Sequence, residues 1–101
     1  MVLPPGHDMP YLLVRHGVRD YAHWRALFDA DAADQRAAGM HVLHVFREPG
    51  NPPDVAPNVA VFLFEVEDRA RAETFMARPG GDRIAEAAGV QPPFDVHWLE
   101  K

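Results

Sequence analysis

A nine-residue segment with almost no polar side chain, NVAVFLFEV at Asn58–Val66, constrains the fold more than any other part of the chain. It is rich in β-branched and aromatic residues and is bounded by turn-forming sequence, which is the pattern of a strand. A strand with water on one face would alternate apolar and polar residues, whereas this one is apolar at consecutive positions. The chain must therefore build a sheet in which this strand is interior and covered on both faces.

Three further segments predict strands, and two capped segments predict helices. Asp20 and Asp68 stand where a helix N-cap is expected, and Gly39 stands where the first helix would end. The second helix is expected to be broken in two at Pro79–Gly81. The predicted strands besides Asn58–Val66 are Tyr11–Val18, Met40–Glu48 and Phe94–Glu100.

The resulting order, β-α-β-β-α-β, predicts a ferredoxin-like α+β fold, a four-stranded antiparallel sheet with helices on one face. The 101 residues suit one domain, which we place at residues 10–101 after a flexible leader at residues 1–9. A stiff, proline-rich loop is expected at residues 49–57. Because the helices cover one face only, the other apolar face predicts a homodimer formed through the uncovered sheet.

Composition excludes several classes of function. The net charge of −5 argues against a nucleic-acid partner, and no apolar run reaches the roughly 18 residues of a membrane span. The absence of cysteine excludes disulfides, thiolate nucleophiles and zinc–thiolate sites, and it favours the cytoplasm. Glycine-rich phosphate loops and G-x-S-x-G motifs are also missing, which disfavours nucleotide and hydrolase chemistry.

Four segments carry a resemblance to a known family: VRHGVRDYAHWRALFD (Val14–Asp29), HVFRE (His44–Glu48), FEVEDRARAETFM (Phe64–Met76) and AGVQPPFDVHWLE (Ala88–Glu100). The chain resembles the dimeric α+β barrel superfamily, and within it the small bacterial proteins known as cyclases or antibiotic-biosynthesis-monooxygenase-like proteins. The resemblance implies a small-molecule cavity in each subunit, between sheet and helices. It supplies no catalytic motif that transfers residue by residue.

Histidines are the candidate acid–base groups, because imidazole titrates near neutral pH. His16 stands near the end of the first strand, where such a cavity would open, and His97 lies in the last strand, the expected neighbour of the first. His41 and His44 form an H-x-x-H motif, but residues three apart on a strand point to opposite faces, so a metal site is not predicted. We therefore single out His16, His44 and His97 as catalytic candidates; the alternative is that they are core or surface residues.

Aromatic and cationic side chains are the candidate substrate-binding groups. Tyr21, Trp24 and Phe28 recur at helical spacing, which indicates a core stripe or a wall on which a planar ligand stacks. Arg47 is a candidate for binding a carboxylate or a phenolate, the alternative being an exposed strand-end arginine.

These residues support two functional hypotheses. One is a cofactor-free monooxygenase or cyclase that acts on a small planar, aromatic or polyketide-like substrate. The other is a non-catalytic, small-molecule-binding or accessory homodimer. Haem is a further possibility that the resemblance raises, although we expect no cofactor. Whether the protein is an enzyme stays open at this point.

Overall fold

The computed structural model describes residues 9–49 and 58–101. The predicted leader, apart from Met9, and the predicted proline-rich loop, apart from Pro49, lie outside the described residues. In chain order the elements are β1 (Tyr11–Val18), α1 (Tyr21–Ala30), α2 (Ala32–Ala37), β2 (Met40–Glu48), β3 (Asn58–Val66), α3 (Arg69–Met76), α4 (Gly81–Ala87) and β4 (Val90–Leu99). In the described part of the chain, no helix is long and apolar enough to cross a membrane.

The four strands form one antiparallel sheet in the order β2-β3-β1-β4. The apolar segment is thus an interior strand, as predicted, with β1 and β2 on its two sides. The predicted α+β ferredoxin-like fold is confirmed. The sequence also places the helix starts correctly, because the side chains of Asp20 and Asp68 accept hydrogen bonds from the amides of His23 and Arg71.

Two element boundaries differ from the expectation. The first helix divides at Asp31 into α1 and α2 before the chain turns at Gly39, whose φ of 77° favours glycine. The last strand begins at Val90 rather than Phe94, because Val90 and Gln91 pair with the end of β1 even though two prolines follow them. Those prolines are accommodated by a shift in register rather than by ending the strand.

Strand register defines two faces of the sheet. The covered face packs on the helices, and its buried members include Leu12, Val18, Ala60, Phe62, Phe64 and Val66. The open face is the opposite one. It carries Tyr11, Leu13 and Arg15 of β1, Val61, Leu63 and Glu65 of β3, His41, His44, Phe46 and Glu48 of β2, and Asp95, His97 and Leu99 of β4.

A bulge in β2 changes which face its residues occupy. Val42 pairs with Phe64 and His44 pairs with Leu63, so Leu43 is an extra residue without a partner in the ladder. The expectation that His41 and His44 point to opposite faces is therefore wrong, since both lie on the open face. Simple alternation would place His44 on the same face as Val42. Because of the extra residue, Val42 lies on the covered face and His44 on the open face.

Gly17 lies where the register between β1 and β4 shifts, and Pro92 and Pro93 of β4 have no partners in β1. The backbone of β4 approaches closely at this point. A Cβ atom added to Gly17 would overlap the carbonyl oxygen of Pro92 and would lie 2.9 Å from that of Gln91. Both obstacles are backbone atoms, so a side chain here requires a strand to move.

We expect Gly17→Ala to lower the free energy of unfolding by about 2–3 kcal/mol, because overpacking against backbone is relieved only by displacing β4. Gly81→Ala is the matched control, since its added Cβ would meet its nearest atom at an ordinary 3.7 Å. Urea unfolding of the two variants and the wild type measures the difference. Equal midpoints for Gly17→Ala and the wild type would contradict the close approach.

Candidate functional site

A cavity of about 320 Å³ lies between the helices and the covered face of the sheet. Its volume is at the lower end of the roughly 300–1,000 Å³ typical of small-molecule sites. Aromatic side chains of α1 and β3 form much of its wall: Trp24, Phe28, Phe62 and Phe64. Its rim is apolar and open to solvent, because Leu27, Met76 and Ile84 line it and remain 39%, 40% and 49% exposed.

The wall is built by direct ring contacts between α1 and β3. The Trp24 and Phe28 rings stack with centroids 4.9 Å apart, and Phe62 lies 5.4 Å from Trp24 and 4.9 Å from Phe28. Aromatic pairs at these separations add stabilisation beyond the area that they bury. The predicted role of α1 as an aromatic wall therefore has a structural basis, which suits a flat, apolar ligand.

His16 is the one predicted catalytic candidate that the structure places at the cavity. It extends from the covered face of β1 and meets Trp24 and Phe62 edge-on, at ring-centroid distances of 5.5 and 5.2 Å. Its Nε2 atom is buried and has no hydrogen-bond partner among the described residues. Desolvation in this apolar setting lowers the pKa of His16 from 6.5 to about 4. The imidazole is therefore neutral at physiological pH.

Asn58 supplies a second unpaired polar atom on the same face. Its Oδ1 atom is buried and has no hydrogen-bond partner among the described residues. Within the described part of the chain, Asn58 Oδ1 and His16 Nε2 are the two buried side-chain atoms that lack a partner. Asn58 pairs with Val18 and His16 pairs with Ala60, so the two are diagonal neighbours on adjacent strands. Unsatisfied buried polar groups are rare in proteins, and this one lies beside His16, although Asn58 is not among the described residues that line the cavity.

An ion pair forms a charged patch on the cavity wall. Nη2 of Arg78 donates to both carboxylate oxygens of Asp31, at 3.2 and 3.1 Å, and the guanidinium lies over the Phe75 ring. Both charged side chains are about three-quarters buried, and both line the cavity with the buried Gln35. The pair links the junction of α1 and α2 to the segment between α3 and α4.

The other predicted catalytic histidines lie on the open face, away from the cavity. Across the sheet, His44 of β2 pairs with Leu63, Leu63 with Leu13, and Leu13 with His97 of β4. The two histidines therefore lie at opposite ends of one row of paired residues. The structure thus does not bring them together with His16. Their predicted catalytic role stays a prediction.

The predicted substrate-binding residues divide in the same way. Trp24 and Phe28 line the cavity, whereas Tyr21 and Arg47 are not among its described lining residues. Those two contact each other instead, with the Arg47 guanidinium 5.7 Å from the centroid of the Tyr21 ring. Arg25 also donates to the Tyr21 hydroxyl, at 3.5 Å. Tyr21 is packed against the core beside the aromatic wall.

The open face carries a charge network that joins three strands. The Arg15 guanidinium binds Glu48 of β2 through Nε, at 2.5 Å, and Asp95 of β4 through Nη1, at 3.0 Å. Hydrogen bonding to these carboxylates raises the pKa of Arg15 and, in return, lowers the pKa of Glu48. We call this network the Arg15 strap. It crosses β3, whose exposed side chains lie between its ends.

Sequence reasoning missed Asp31 and Arg78 as cavity-lining residues, and Asn58 as the neighbour of His16 with a buried, unpaired oxygen. For Asn58 there was a signal, since it is the one amide in an apolar strand and shares the parity of Phe62 and Phe64. For the ion pair there was none, because Asp31 and Arg78 are 47 positions apart and belong to different helical pairs. Their contact depends on how the helices pack on the sheet.

Comparison with solved structures identifies the fold. An antibiotic biosynthesis monooxygenase candidate from Deinococcus radiodurans superposes with a TM-score of 0.59 at 15% identity, covering 92% of both chains. SnoaB, a cofactor-independent oxygenase from Streptomyces nogalater, gives 0.55 at 16% identity over 94% of both. This chain has the ferredoxin-like α+β fold of these two proteins. The resemblance predicted from the sequence is confirmed at the level of the fold.

The same fold also occurs in a protein of another description. The C-terminal domain of the MgtC protein from Mycobacterium tuberculosis matches with a TM-score of 0.50 at 18% identity, covering 96% of this chain and 92% of that one. No protein-family model and no curated protein sequence matches the chain. Function must therefore be argued from the cavity itself, because one fold hosts many activities.

Burial of His16 gives the protein a defined response to acid. The folded-state pKa of about 4 lies below the ordinary 6.5, so the unfolded chain binds the proton more readily. The stabilisation is complete above pH 6.5 and is lost as the pH falls towards 4. We expect the loss attributable to His16 to reach about 2–3 kcal/mol, after allowance for partial solvent screening.

Unfolding curves measured from pH 7 to pH 4 test this response. His16→Leu should remove the loss that belongs to the imidazole, and carboxylate titration should persist in both proteins. His23→Leu is the control, because His23 lies on the exposed face of α1. Parallel pH profiles for the wild type and His16→Leu would show that the imidazole is not desolvated, as would an NMR titration of His16 centred near pH 6.5.

Proposed function

We propose that the protein is a cofactor-free oxygenase or cyclase that takes a small, planar aromatic substrate into the cavity beside His16. The observation that carries the proposal is a neutral, half-buried imidazole whose Nε2 atom is buried and unpaired beside an aromatic-lined cavity. SnoaB, a cofactor-independent oxygenase, shares the fold and supports the same class of reaction. The cytoplasmic location expected from the sequence stays a prediction.

The aromatic wall selects the shape of the substrate. Trp24, Phe28 and Phe62 present ring faces and edges to the cavity, and an anthrone-like ring system offers complementary π surface. The unpaired Nε2 of His16 would then face the acidic CH₂ group of the bound substrate. Because Nε2 is covered by protein atoms, the substrate must displace Trp24 or Phe62 slightly to reach it.

The chemistry needs no group beyond the substrate, molecular oxygen and a base. His16 takes a proton from the acidic CH₂ of the substrate, and the carbanion passes one electron to O₂. The resulting radical and superoxide combine into a peroxide, which takes back the proton. Loss of water leaves a ketone, so that R₂CH₂ and O₂ give R₂C=O and H₂O. Ring closure onto a neighbouring carbonyl would begin with the same carbanion.

A pKa of about 4 makes His16 a weak base for a free substrate. The opposite charge that develops on the bound carbanion offsets the cost of an imidazolium in the dry site, which raises the pKa within the complex. The free enzyme is therefore expected to keep its base unprotonated down to an unusually low pH. This feature separates His16 from an exposed histidine with a pKa near 6.5.

Turnover of 1,8-dihydroxyanthrone, followed by oxygen uptake and quinone absorbance, tests the proposal. We expect His16→Gln to reduce kcat/KM by about 100-fold or more, the usual contribution of a general base. The wild-type kcat/KM should fall only near pH 4, not near pH 6.5. His44→Gln and His97→Gln should each stay within about threefold of the wild type, a margin well below that of a lost base.

His23→Gln serves as the matched control, since it removes an exposed imidazole from α1. Wild-type turnover in His16→Gln would contradict the base assignment. A large loss in His44→Gln or His97→Gln, with His16→Gln unaffected, would transfer the chemistry to the open face.

Binding without turnover is the second candidate function, and the low pKa of His16 favours it. A group that resists protonation is a poor proton acceptor but a good neutral hydrogen-bonding partner. The expected result is then saturable quenching of Trp24 fluorescence by the anthrone probe, in a Trp98→Phe background, with oxygen uptake no faster than in buffer. Quenching together with rapid oxygen uptake would favour the enzyme.

Haem does not fit the cavity as the described residues form it. The Nε2 atom of His16 that would have to bind the iron is covered by protein atoms, and a haem macrocycle is much larger than the three-ring substrate for which a slight displacement of rings is enough. No step of the proposed reaction therefore involves haem. An absorbance titration with haem checks this point, because a Soret band shift lost in His16→Gln would contradict it.

We also propose that a second copy of the chain covers the open face of the sheet. Phe46 and Leu99 are 58% and 42% exposed there, beside half-buried Leu13, Val61 and Leu63. Apolar residues thus occupy adjoining strands, and the Arg15 strap places both signs of charge on the same face. A patch with apolar and oppositely charged groups is complementary to itself across a two-fold axis.

Light scattering at micromolar concentration tests the homodimer. The wild type should have twice the mass of the chain, and Phe46→Glu should be monomeric because it buries a charge in the interface. Phe94→Glu is the control, since Phe94 is similarly exposed, at 62%, but lies at the β4 edge on the covered face. A monomeric wild type would overturn the proposal, as would equal dissociation by both substitutions.

A further inference from the structure

We infer that Asp31 is a specificity-determining residue, which neutralises Arg78 on the cavity wall so that the site accepts uncharged aromatic ring systems and rejects carboxylated ones. The inference rests on the proposed function, because it presumes that the cavity binds an aromatic ligand. It goes further by stating the charge of that ligand and the residue that sets it.

Asp31 is not explained by helix capping. It stands between the C-terminal end of α1 and the N-terminal end of α2, whose dipoles act on its charge in opposite senses, and its side chain makes no capping hydrogen bond to α2. What it does contact is Arg78, through both carboxylate oxygens. Its position on the cavity wall, about one-quarter exposed, is therefore that of a counter-ion.

Arg78 without Asp31 would make the cavity an anion site. Its guanidinium is held over the Phe75 ring, 4.0 Å from the centroid, and both residues line the cavity. A fixed, partly desolvated arginine beside aromatic walls is the arrangement that binds a carboxylate in two-point contact. The neighbouring carboxylate of Asp31 already occupies that role, so a ligand carboxylate would compete with it and be repelled by it.

The remaining lining residues give an anion no compensation. His16 is neutral near pH 7, and Gln35 is uncharged. Apart from these two residues and the Asp31–Arg78 pair, the described lining is apolar. A ligand carboxylate would thus lose its hydration without gaining an unengaged cation, whereas a hydroxyl or a ketone loses much less. The balance favours ligands whose polar groups are neutral.

Two probes that share one ring system measure this selectivity: an anthraquinone carboxylate and the corresponding anthraquinone methanol. Their Kd values are obtained by quenching of Trp24 in a Trp98→Phe background. We expect the wild type to bind the methanol at least about tenfold more tightly, and Asp31→Asn to improve carboxylate binding on the order of tenfold, as removal of one nearby charge implies. The Kd of the methanol should change less than about twofold.

Asp29→Asn is the matched control. Asp29 lies two residues away on the same helix and pairs with Arg25 at the surface, so this substitution makes the same change in net charge outside the cavity. It should leave the ratio of the two Kd values unchanged. An equal ratio in Asp31→Asn and the wild type, with the methanol still bound, would overturn this inference and leave the proposed function standing.

Arg78→Met provides a second test in case Asp31→Asn does not fold. It leaves the carboxylate of Asp31 alone on the wall, so carboxylate binding should weaken further and an aminomethyl anthraquinone should gain affinity. Unchanged preferences would again contradict the role of the pair. If the wild type and all variants bind none of the three probes, the aromatic cavity site itself is wrong, and the proposed function fails together with this inference.

Discussion

Contact between the aromatic rings of α1 and those of β3 is the interaction on which the rest of the structure depends. Trp24 and Phe28 meet Phe62 at centroid distances of about 5 Å, and this contact sets α1 on the centre of the sheet. The Trp24 and Phe62 rings also pack edge-on against His16 and partly shield it from water. One packing arrangement therefore holds the fold together, shapes the cavity and lowers the pKa of His16, the histidine among the described lining residues.

At His16, stability and function depend on the same quantity, the cost of desolvating the protonated imidazole. Burial disfavours its protonated form, which makes the folded state sensitive to acid. In the proposed reaction, that cost is offset when an anion forms beside the ring, so His16 would accept a proton only when the right charge is present. The proposed site would thus discriminate by charge at two places, at the imidazole and at the Asp31–Arg78 pair.

Much of the fold could be predicted from the sequence, because local signals decide it. The apolar run of β3, the capping residues Asp20 and Asp68 and the break at Pro79–Gly81 each act over a few residues. The site was predictable only where strand alternation held, as for His16. The extra residue Leu43 reverses alternation in β2 and sends His44 to the open face, and no local pattern announces such a bulge. The Asp31–Arg78 pair depends on how the helices pack on the sheet, so short sequence segments do not predict it.

The Arg15 strap has a consequence for communication between the two faces of the sheet. It ties β2 to β4, which are the two edge strands and do not pair with each other, across the back of the strands that form the floor of the cavity. A sheet cross-braced in this way resists changes in its twist. Whatever covers the open face shields the brace from water and stiffens it, whereas a high salt concentration loosens it. We therefore expect a surface that covers the open face to act on the cavity through the sheet, with no contact between that surface and the ligand.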